Sequence, residues 1–534
     1  MEQFLLFPYT LRLTPYTEFL SLTLDTPGMK EENILAQKGA LMIPIIDRVV
    51  DQTVLKKTVD RFREKNIILP TFAQQRDPGM IPAGIQDRLR GIGLWDLHPL
   101  NLFRITWKNE PREKGGLFGG VNYLELPREL TGVRARIVLL VGKWFPTGAH
   151  KVGAAYGCLA PRLVSGQFDP TYNKAVWPST GNYCRGGAFD SYLMGCTAVA
   201  ILPELMSRER FDWLKEIGAE VIATPGCESN VKEIYDKCWE IRKTRPDCVI
   251  FNQFDEFGNA AWHYFNTAAA AEEVFRKIAG PGMALAAYVS ATGSAGTIAA
   301  GDALRLSHPA LKVVASEALQ CPTLLQNGFG GHRIEGIGDK HVPWIHNVRN
   351  TDAVAALDDE DCLRLLRLFN EPAGRRRLLE LGLEAEQVAG LPLLGISSIA
   401  NVLAAIKTAK HFEMTGDDVL ITLATDSSDL YASRLKELHD ERGSYSEVQA
   451  SCDLERCLWG QGEDHFKELT YSDRKAIHNL KYFTWIEQQG KEIADLNQLW
   501  NDRGIWPRIF GQVGRWDEMI AEFNERTGLL QGLS

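Results

Sequence analysis

From Arg134 to Leu435 the chain alternates short β-branched or apolar runs with amphipathic helical stretches, and this alternation is the tightest constraint on its fold. The runs at 137–141, 174–177, 198–202, 220–223, 249–251, 286–289, 311–315 and 419–423 read as strands. Between them lie helical patterns, for example at 208–217 and 230–243. Strands separated by helices pair in parallel and need cover on both faces, which predicts an α/β fold with mostly parallel sheets and helices on either side.

The flanks have a different character. Residues 1–95 are mixed and broken by prolines, with helical patterning only around 45–65. Residues 440–534 are rich in Trp, Glu, Asp and Lys and read as helices on or beside the core. The stretch 371–389 is charged and helical and looks like an insertion. With 534 residues and 45% apolar content there is ample material for a core of more than one lobe.

Charge and cysteine content exclude several classes. The formal net charge is −9, and without a long basic stretch the chain is a poor match for nucleic acid or an anionic membrane. No apolar run approaches the ~20 residues of a membrane span, and the N-terminus lacks the basic start of a signal peptide. Ten scattered cysteines without a C-x-x-C pair fit free thiols in a cytoplasmic protein. His332, His341 and His346 fall near one another without metal-ligand spacing, so no metal is expected.

Four segments carry chemistry. In P-T-G-A-H-K at 146–151, a strand runs through a Gly-containing turn into a helix starting near Lys151. A lysine there sits at the carboxyl edge of the sheet, where α/β proteins bind ligands. The helix terminus and partial burial would favour a neutral amine, the form needed for a Schiff base. Alternatively, this is a solvated lysine at a helix start. Ser179, Thr180, Gly181 and Asn182 follow a strand and leave backbone N–H groups free for a carboxylate or phosphate, unless they form an ordinary capped turn. Gly293, Ser294, Ala295, Gly296 and Thr297 lie between strand and helix in the manner of a phosphate cradle. The G-x-G-x-x-G pattern of a dinucleotide site is not met. Thr425, Asp426, Ser427 and Ser428 close the 419–423 strand and offer hydroxyls to a heterocycle nitrogen, or simply form a loop turn.

Taken with L-P-E-L-M-S-R-E-R-F-D-W-L-K-E-I-G-A-E-V at 202–221, N-Q-F-D-E-F-G-N-A-A-W-H-Y at 252–264, I-E-G-I-G-D-K-H-V-P at 334–343 and G-I-S-S at 395–398, these segments resemble the pyridoxal-5′-phosphate (PLP) enzymes of the tryptophan-synthase-β superfamily, fold type II. The likeness is strongest to cysteine synthase and cystathionine β-synthase and covers about 95–435, although P-T-G-A-H-K looks nearer to tryptophan synthase β. It implies a PLP enzyme of two lobes: a large one from 96–150 and 225–435, and a small mobile one from 151–224. Extensions at 1–95 and 436–534 flank them, and the family is usually homodimeric.

The resemblance also implies roles. Lys151 would carry the cofactor and act as the base at the substrate Cα. Ser179, Thr180, Gly181 and Asn182 would bind the substrate carboxylate, with Asn182 also near the cofactor's 3′ oxygen. Gly293, Ser294, Ala295, Gly296 and Thr297 would hold the phosphate beside His150, and Thr425 or Ser427 would meet the pyridine nitrogen. Asp426 next to them is unlike the cysteine synthases. The implied reaction is β-elimination or β-replacement, through an aminoacrylate, on a serine, O-acylserine or cysteine type of amino acid. Tryptophan-synthase-like, threonine-synthase-like and dehydratase chemistries are the alternatives on the same fold.

Overall fold

The run Ile137, Val138, Leu139, Leu140 and Val141 has no polar face and is buried throughout. Such a run is stable only as an inner strand covered on both sides. The computed structural model describes residues 46–531 and 533, apart from 112, 113, 115, 180, 227–230 and 339. Thr180 and the first 45 residues of the N-terminal extension therefore lie outside the described residues.

In chain order the strands are β1 (Tyr123–Leu126), β2 (Arg136–Val141), β3 (Lys174–Pro178), β4 (Thr197–Pro203), β5 (Glu220–Thr224), β6 (Cys248–Ile250), β7 (Ala284–Ala291), β8 (Lys312–Ala318), β9 (Ala353–Leu357), β10 (Asp418–Ala424) and β11 (Phe466–Glu468). They form two sheets, ordered β1-β2-β10-β7-β8-β9-β11 and β5-β4-β3-β6. The smaller is parallel throughout. The larger is parallel from β2 to β9, with antiparallel β1 and β11 at its edges. All eight strands expected from the sequence are present. β6 lies in the smaller sheet, however, so the lobe boundary drawn at 224 does not follow the strands.

The helices used below are α1 (Gln52–Glu64), α2 (Lys151–Val164), α3 (Asn182–Leu193), α4 (Arg208–Glu216), α5 (Val231–Thr244), α6 (Ala299–Ser307), α7 (Ile396–His411), α8 (Ala432–Arg442), α9 (Tyr471–Lys481) and α10 (Ile505–Thr527). Residues 396–409 of α7 are all buried, as suits a helix laid on the large sheet beneath other helices. The charged stretch near 371–389 forms Pro372–Glu380 and Ala385–Gly390. Its Ala373, Leu378, Leu383 and Val388 belong to the main core, so it is built into the large lobe. Helix α2 lies close to Phe257–Trp262: a Cβ on Gly157 would run into the carbonyl oxygen of Gly258.

The two extensions hold each other. Ile505, Trp506, Ile509, Phe510, Val513, Trp516, Ile520 and Phe523 form one apolar stripe on α10. The Phe523 ring meets Phe62 of α1 edge to face at 5.1 Å, and Trp516 meets Phe72 at 5.5 Å. Each buried aromatic contributes roughly 1.5–3 kcal/mol. Asp517 accepts the amides of Phe72 and Ala73, at 2.6 and 3.0 Å. Asn524 exchanges two hydrogen bonds with the backbone of Leu69.

The C-terminal extension also reaches the large lobe. β11 pairs with β9, Trp485 Nε1 donates to the Val342 carbonyl at 2.9 Å, and Lys481 donates to the carbonyls of Trp344 and His346. Burial pushes the Lys481 ammonium down to about 7. Among the described residues no single helix is long and apolar enough to cross a membrane, and no His, Cys, Asp or Glu cluster has the form of a metal site.

Candidate active site

The carboxyl ends of β2, β3, β7 and β10 carry the four segments singled out in the sequence, and all four turn toward one cleft. This is where an open parallel sheet leaves room for a ligand.

After β2 the chain passes through Gly142–Trp144 and Pro146–Gly148, with Thr147 and Gly148 both left-handed at φ 69° and 73°. A non-glycine residue in that region costs about 1–2 kcal/mol and persists where the surroundings fix it. The reversal makes Lys151 the first residue of α2, at the positive end of the helix. The Lys151 amine donates to Ser294 Oγ at 3.1 Å and to Gln253 Oε1 at 3.2 Å. Gln253 Nε2 in turn donates to Ser179 Oγ at 3.2 Å. The lysine thus stands between the 293–297 loop and the 179–182 loop.

The 293–297 loop follows β7. Thr292 is tied to the Ser316 carbonyl, Thr297 Oγ1 pairs with Ser290 Oγ at 2.7 Å, and Tyr288 donates to the Thr297 carbonyl at 2.9 Å. Ala295 is left-handed at φ 59°. Among the described residues, none of the amide N–H groups of 293–298 has a backbone or side-chain acceptor. A Cβ on Gly296 would strike Asn259 Oδ1, and one on Gly293 would lie 3.2 Å from the Gly336 carbonyl oxygen. Consecutive free amides before α6 suit a phosphate group.

The 179–182 loop follows β3. Ser179 extends the sheet through its amide to Ile201, and its hydroxyl accepts the Gly181 amide at 3.2 Å. Behind the loop lies Arg210 of α4, whose guanidinium occupies the space a Gly181 side chain would need. Arg210 is fully buried, 3.2 Å from Glu335 and 3.2 Å from Tyr431 Oη. Arg185 is buried beside it, stacked on Trp213, and burial together with Arg210 pushes its guanidinium down to about 10.

After β10, Thr425 lines the cleft and its hydroxyl lies 3.2 Å from His150 Nε2. Burial and the neighbouring Lys151 push His150 down to about 3, so the ring is neutral. Asp426 is fully buried and accepts the Asn182 amide at 2.6 Å and the Tyr431 hydroxyl at 2.8 Å. Burial raises its carboxyl above the usual range, against the pull of Arg210. Ser427 starts the turn Ser428–Tyr431.

Of the residues expected from sequence, Lys151, Ser179, Asn182, Gly293, Ser294 and Thr425 form the cleft wall. Gly181, Ala295, Gly296 and Thr297 belong to its loops behind that wall, with His150 packed behind Thr425. The wall also includes Tyr183, which directly follows the 179–182 loop, and Val231, Gln253, Phe254, Gly336 and Gly338, which were not predicted to line it. The Q-F and G-I-G segments carried that signal.

Residues 119–426 match the model of the family described as "Pyridoxal-phosphate dependent enzyme". The chain belongs to that family. Its cofactor is PLP, and the free amides, the lysine and the hydroxyl facing one cleft fit that group. A probable cysteine synthase of Bacillus subtilis is 30% identical over 318 residues, covering 59% of this chain and 94% of that protein. Cystathionine beta-synthase of Saccharomyces cerevisiae is 25% identical over 321 residues, covering 58% of this chain and 59% of that protein. Among solved structures, O-acetylserine sulfhydrylase isoform 3 of Entamoeba histolytica aligns with a TM-score of 0.51 at 23% identity, over 64% of this chain and 94% of that one. The O-acetylserine dependent cystathionine beta-synthase of Helicobacter pylori aligns with a TM-score of 0.50 at 22% identity, over 59% of this chain and 95% of that one. These two show the shared fold.

Proposed function

We propose that the chain uses PLP on Lys151 for β-elimination or β-replacement on a β-substituted L-amino acid of the serine, O-acylserine or cysteine type. The observation that carries this reading is the Lys151 amine, set between a loop of free amides and the 179–182 loop in a single cleft. The cysteine synthase and cystathionine beta-synthase relatives support the same class.

When bound, the cofactor supplies an electron sink for charge left on the substrate Cα. The amides of 293–298 would hold its phosphate. The 179–182 loop, at the start of α3, holds the substrate carboxylate. Lys151 takes the proton as the Cα–H bond breaks, and the β-substituent leaves with its bonding pair. Thr425, on the cleft wall, would meet the ring nitrogen, whereas the Asp426 carboxylate beside it is bonded to Asn182 and Tyr431. A neutral hydroxyl does not hold a proton on that nitrogen, which favours loss of a β-group over transamination.

The test is a titration of the purified holoprotein with L-serine, L-cysteine and O-acetyl-L-serine. The visible band is followed, and pyruvate, sulfide and acetate are assayed. A band change and product with at least one of the three is expected. Silence toward all three, with turnover of threonine or of serine plus indole, would replace this reading with one of the alternatives. We further propose a homodimer acting in the cytoplasm, with light scattering as the check on assembly.

A further inference from the structure

A second hollow lies away from the cleft, where the N-terminal extension meets the large lobe. Its walls include Gln75, Arg76, Thr106, Trp107, Lys108 and Asn266. Gln75 and Asn266 are 1% and 2% exposed. Gln75 lies in the short helix Phe72–Arg76, and its Oε1 accepts the Trp262 Nε1–H at 2.8 Å. An indole nitrogen only donates, so the Gln75 amide is fixed with its NH2 turned the other way. That NH2 has no partner among the described residues. Asn266 sits in the π-helical turn His263–Thr267, a kind of turn that recurs at functional sites. Neither its Nδ2 nor its Oδ1 has a partner among the described residues. Buried amides left unmet are costly, and two of them on one hollow call for a polar occupant.

The charges around the hollow say which occupant. Arg76 lies over the Phe265 ring at 4.2 Å, and Lys108 is paired with Glu273 at 2.7 Å. Two cations beside the N–H groups of Gln75 and Asn266 suit a carboxylate. Asp77 and Glu273 on the same walls suit an ammonium. Ala269 and Ala270 add only methyl groups, which leaves room for a small molecule. We propose that this hollow is a second site, separate from the Lys151 cleft, for a small zwitterionic amino acid. Gln75, Asn266 and Arg76 take its carboxylate, and Asp77 and Glu273 face its ammonium. The site backs onto the cleft: the Trp107 ring lies 5.4 Å from that of His150, which touches Thr425 of the cleft wall. Trp107 Nε1 also donates to Thr267 Oγ1 at 3.0 Å, in the same π turn as Asn266.

The test counts radiolabelled glycine bound to the holoprotein by equilibrium dialysis, while the visible band of the cofactor reports the glycine held in the cleft. Wild type is expected to bind one glycine per chain beyond those the band accounts for. Two substitutions address the extra molecule. Gln75→Glu keeps an oxygen for Trp262 and puts a second oxygen where the NH2 stood, which repels a carboxylate. Asn266→Leu replaces an amide without partners by an apolar group of similar size, so the fold is expected to keep its melting temperature. Each should weaken the extra binding about tenfold or more and leave the band titration as in wild type. No extra glycine in wild type, or extra binding unchanged in both variants, overturns the proposal. A crystal structure grown with glycine should show its carboxylate against Gln75 Nε2 and Asn266, and ordered water only in the hollow would overturn it too. Dialysis counts the hollow whether or not the band responds, so failure of the reaction assigned to the cleft and failure of this site are told apart.

Discussion

The two loops that face Lys151 are held in different ways. The 293–297 loop is fixed by its own lobe: Ser290, Tyr288, Asn259 and Ser316 surround it, and all lie within 60 residues of one another in sequence or on adjacent strands. The 179–182 loop is braced from across the seam, by Asp426 on Asn182 and by Arg210, itself paired with Glu335 and Tyr431. Further bonds cross at the same place, from the Ser433 amide and hydroxyl to the Glu209 carboxylate and from Arg434 to the Leu205 carbonyl. The first loop is therefore a fixed seat. The second depends on how the lobes meet, which suits the part that must admit and release a substrate.

Substitutions should separate the two. Lys151→Ala touches both loops and has the largest effect: loss of covalent cofactor attachment, seen by mass after borohydride reduction, and a fall in turnover of about 10³-fold or more. Gly296→Ala strikes the fixed seat. Its added methyl meets Asn259, and overpacking of ~1–3 kcal/mol should weaken PLP about 10- to 100-fold in an equilibrium titration, with KM for the amino acid little changed. Glu335→Gln strikes the bracing instead. It removes the carboxylate charge 3.2 Å from the buried Arg210, and KM should rise about tenfold while PLP affinity holds. Equal loss of both affinities in either variant would break the comparison.

The smallest effect concerns neither loop. Lys481 titrates near 7 when folded, below its ordinary value of 10.5. Between those values the unfolded chain binds more protons than the folded one, so stability rises as pH goes from 7 toward 10. A gain of roughly 1–2 kcal/mol in urea unfolding is expected between pH 7 and 9, and Lys481→Met should remove it.

What the sequence conveyed follows from the range of each interaction. The β-branched runs at 137–141 and 419–423 announce inner strands because burial on both faces is written into each residue. β9, with the sequence Ala-Val-Ala-Ala-Leu, is just as buried but carries too little β-branching to stand out. The arginines of 375–377 made that stretch look like an insertion, and Leu378 beside them is fully buried in the main core. Lys151 and the glycine loop were legible because a strand, a turn and a helix start are local patterns. The Asn182–Asp426 bond and the Gln253 bridge were not, since each joins side chains of segments far apart in the chain. Sequence left Thr425, Asp426 and Ser427 as rivals for one position. In the fold Thr425 lies on the cleft wall and Asp426 is bonded to Asn182.

Lys481 and Trp485 hold the carbonyls of 342–346, a few residues beyond the Gly336 and Gly338 that wall the cleft. During synthesis that segment leaves the ribosome more than a hundred residues before its anchors do. The nascent chain can therefore lay down β1 to β10 while one wall of the cleft still lacks its support, and a chain ending after α8 is expected to bind PLP more weakly than the full chain.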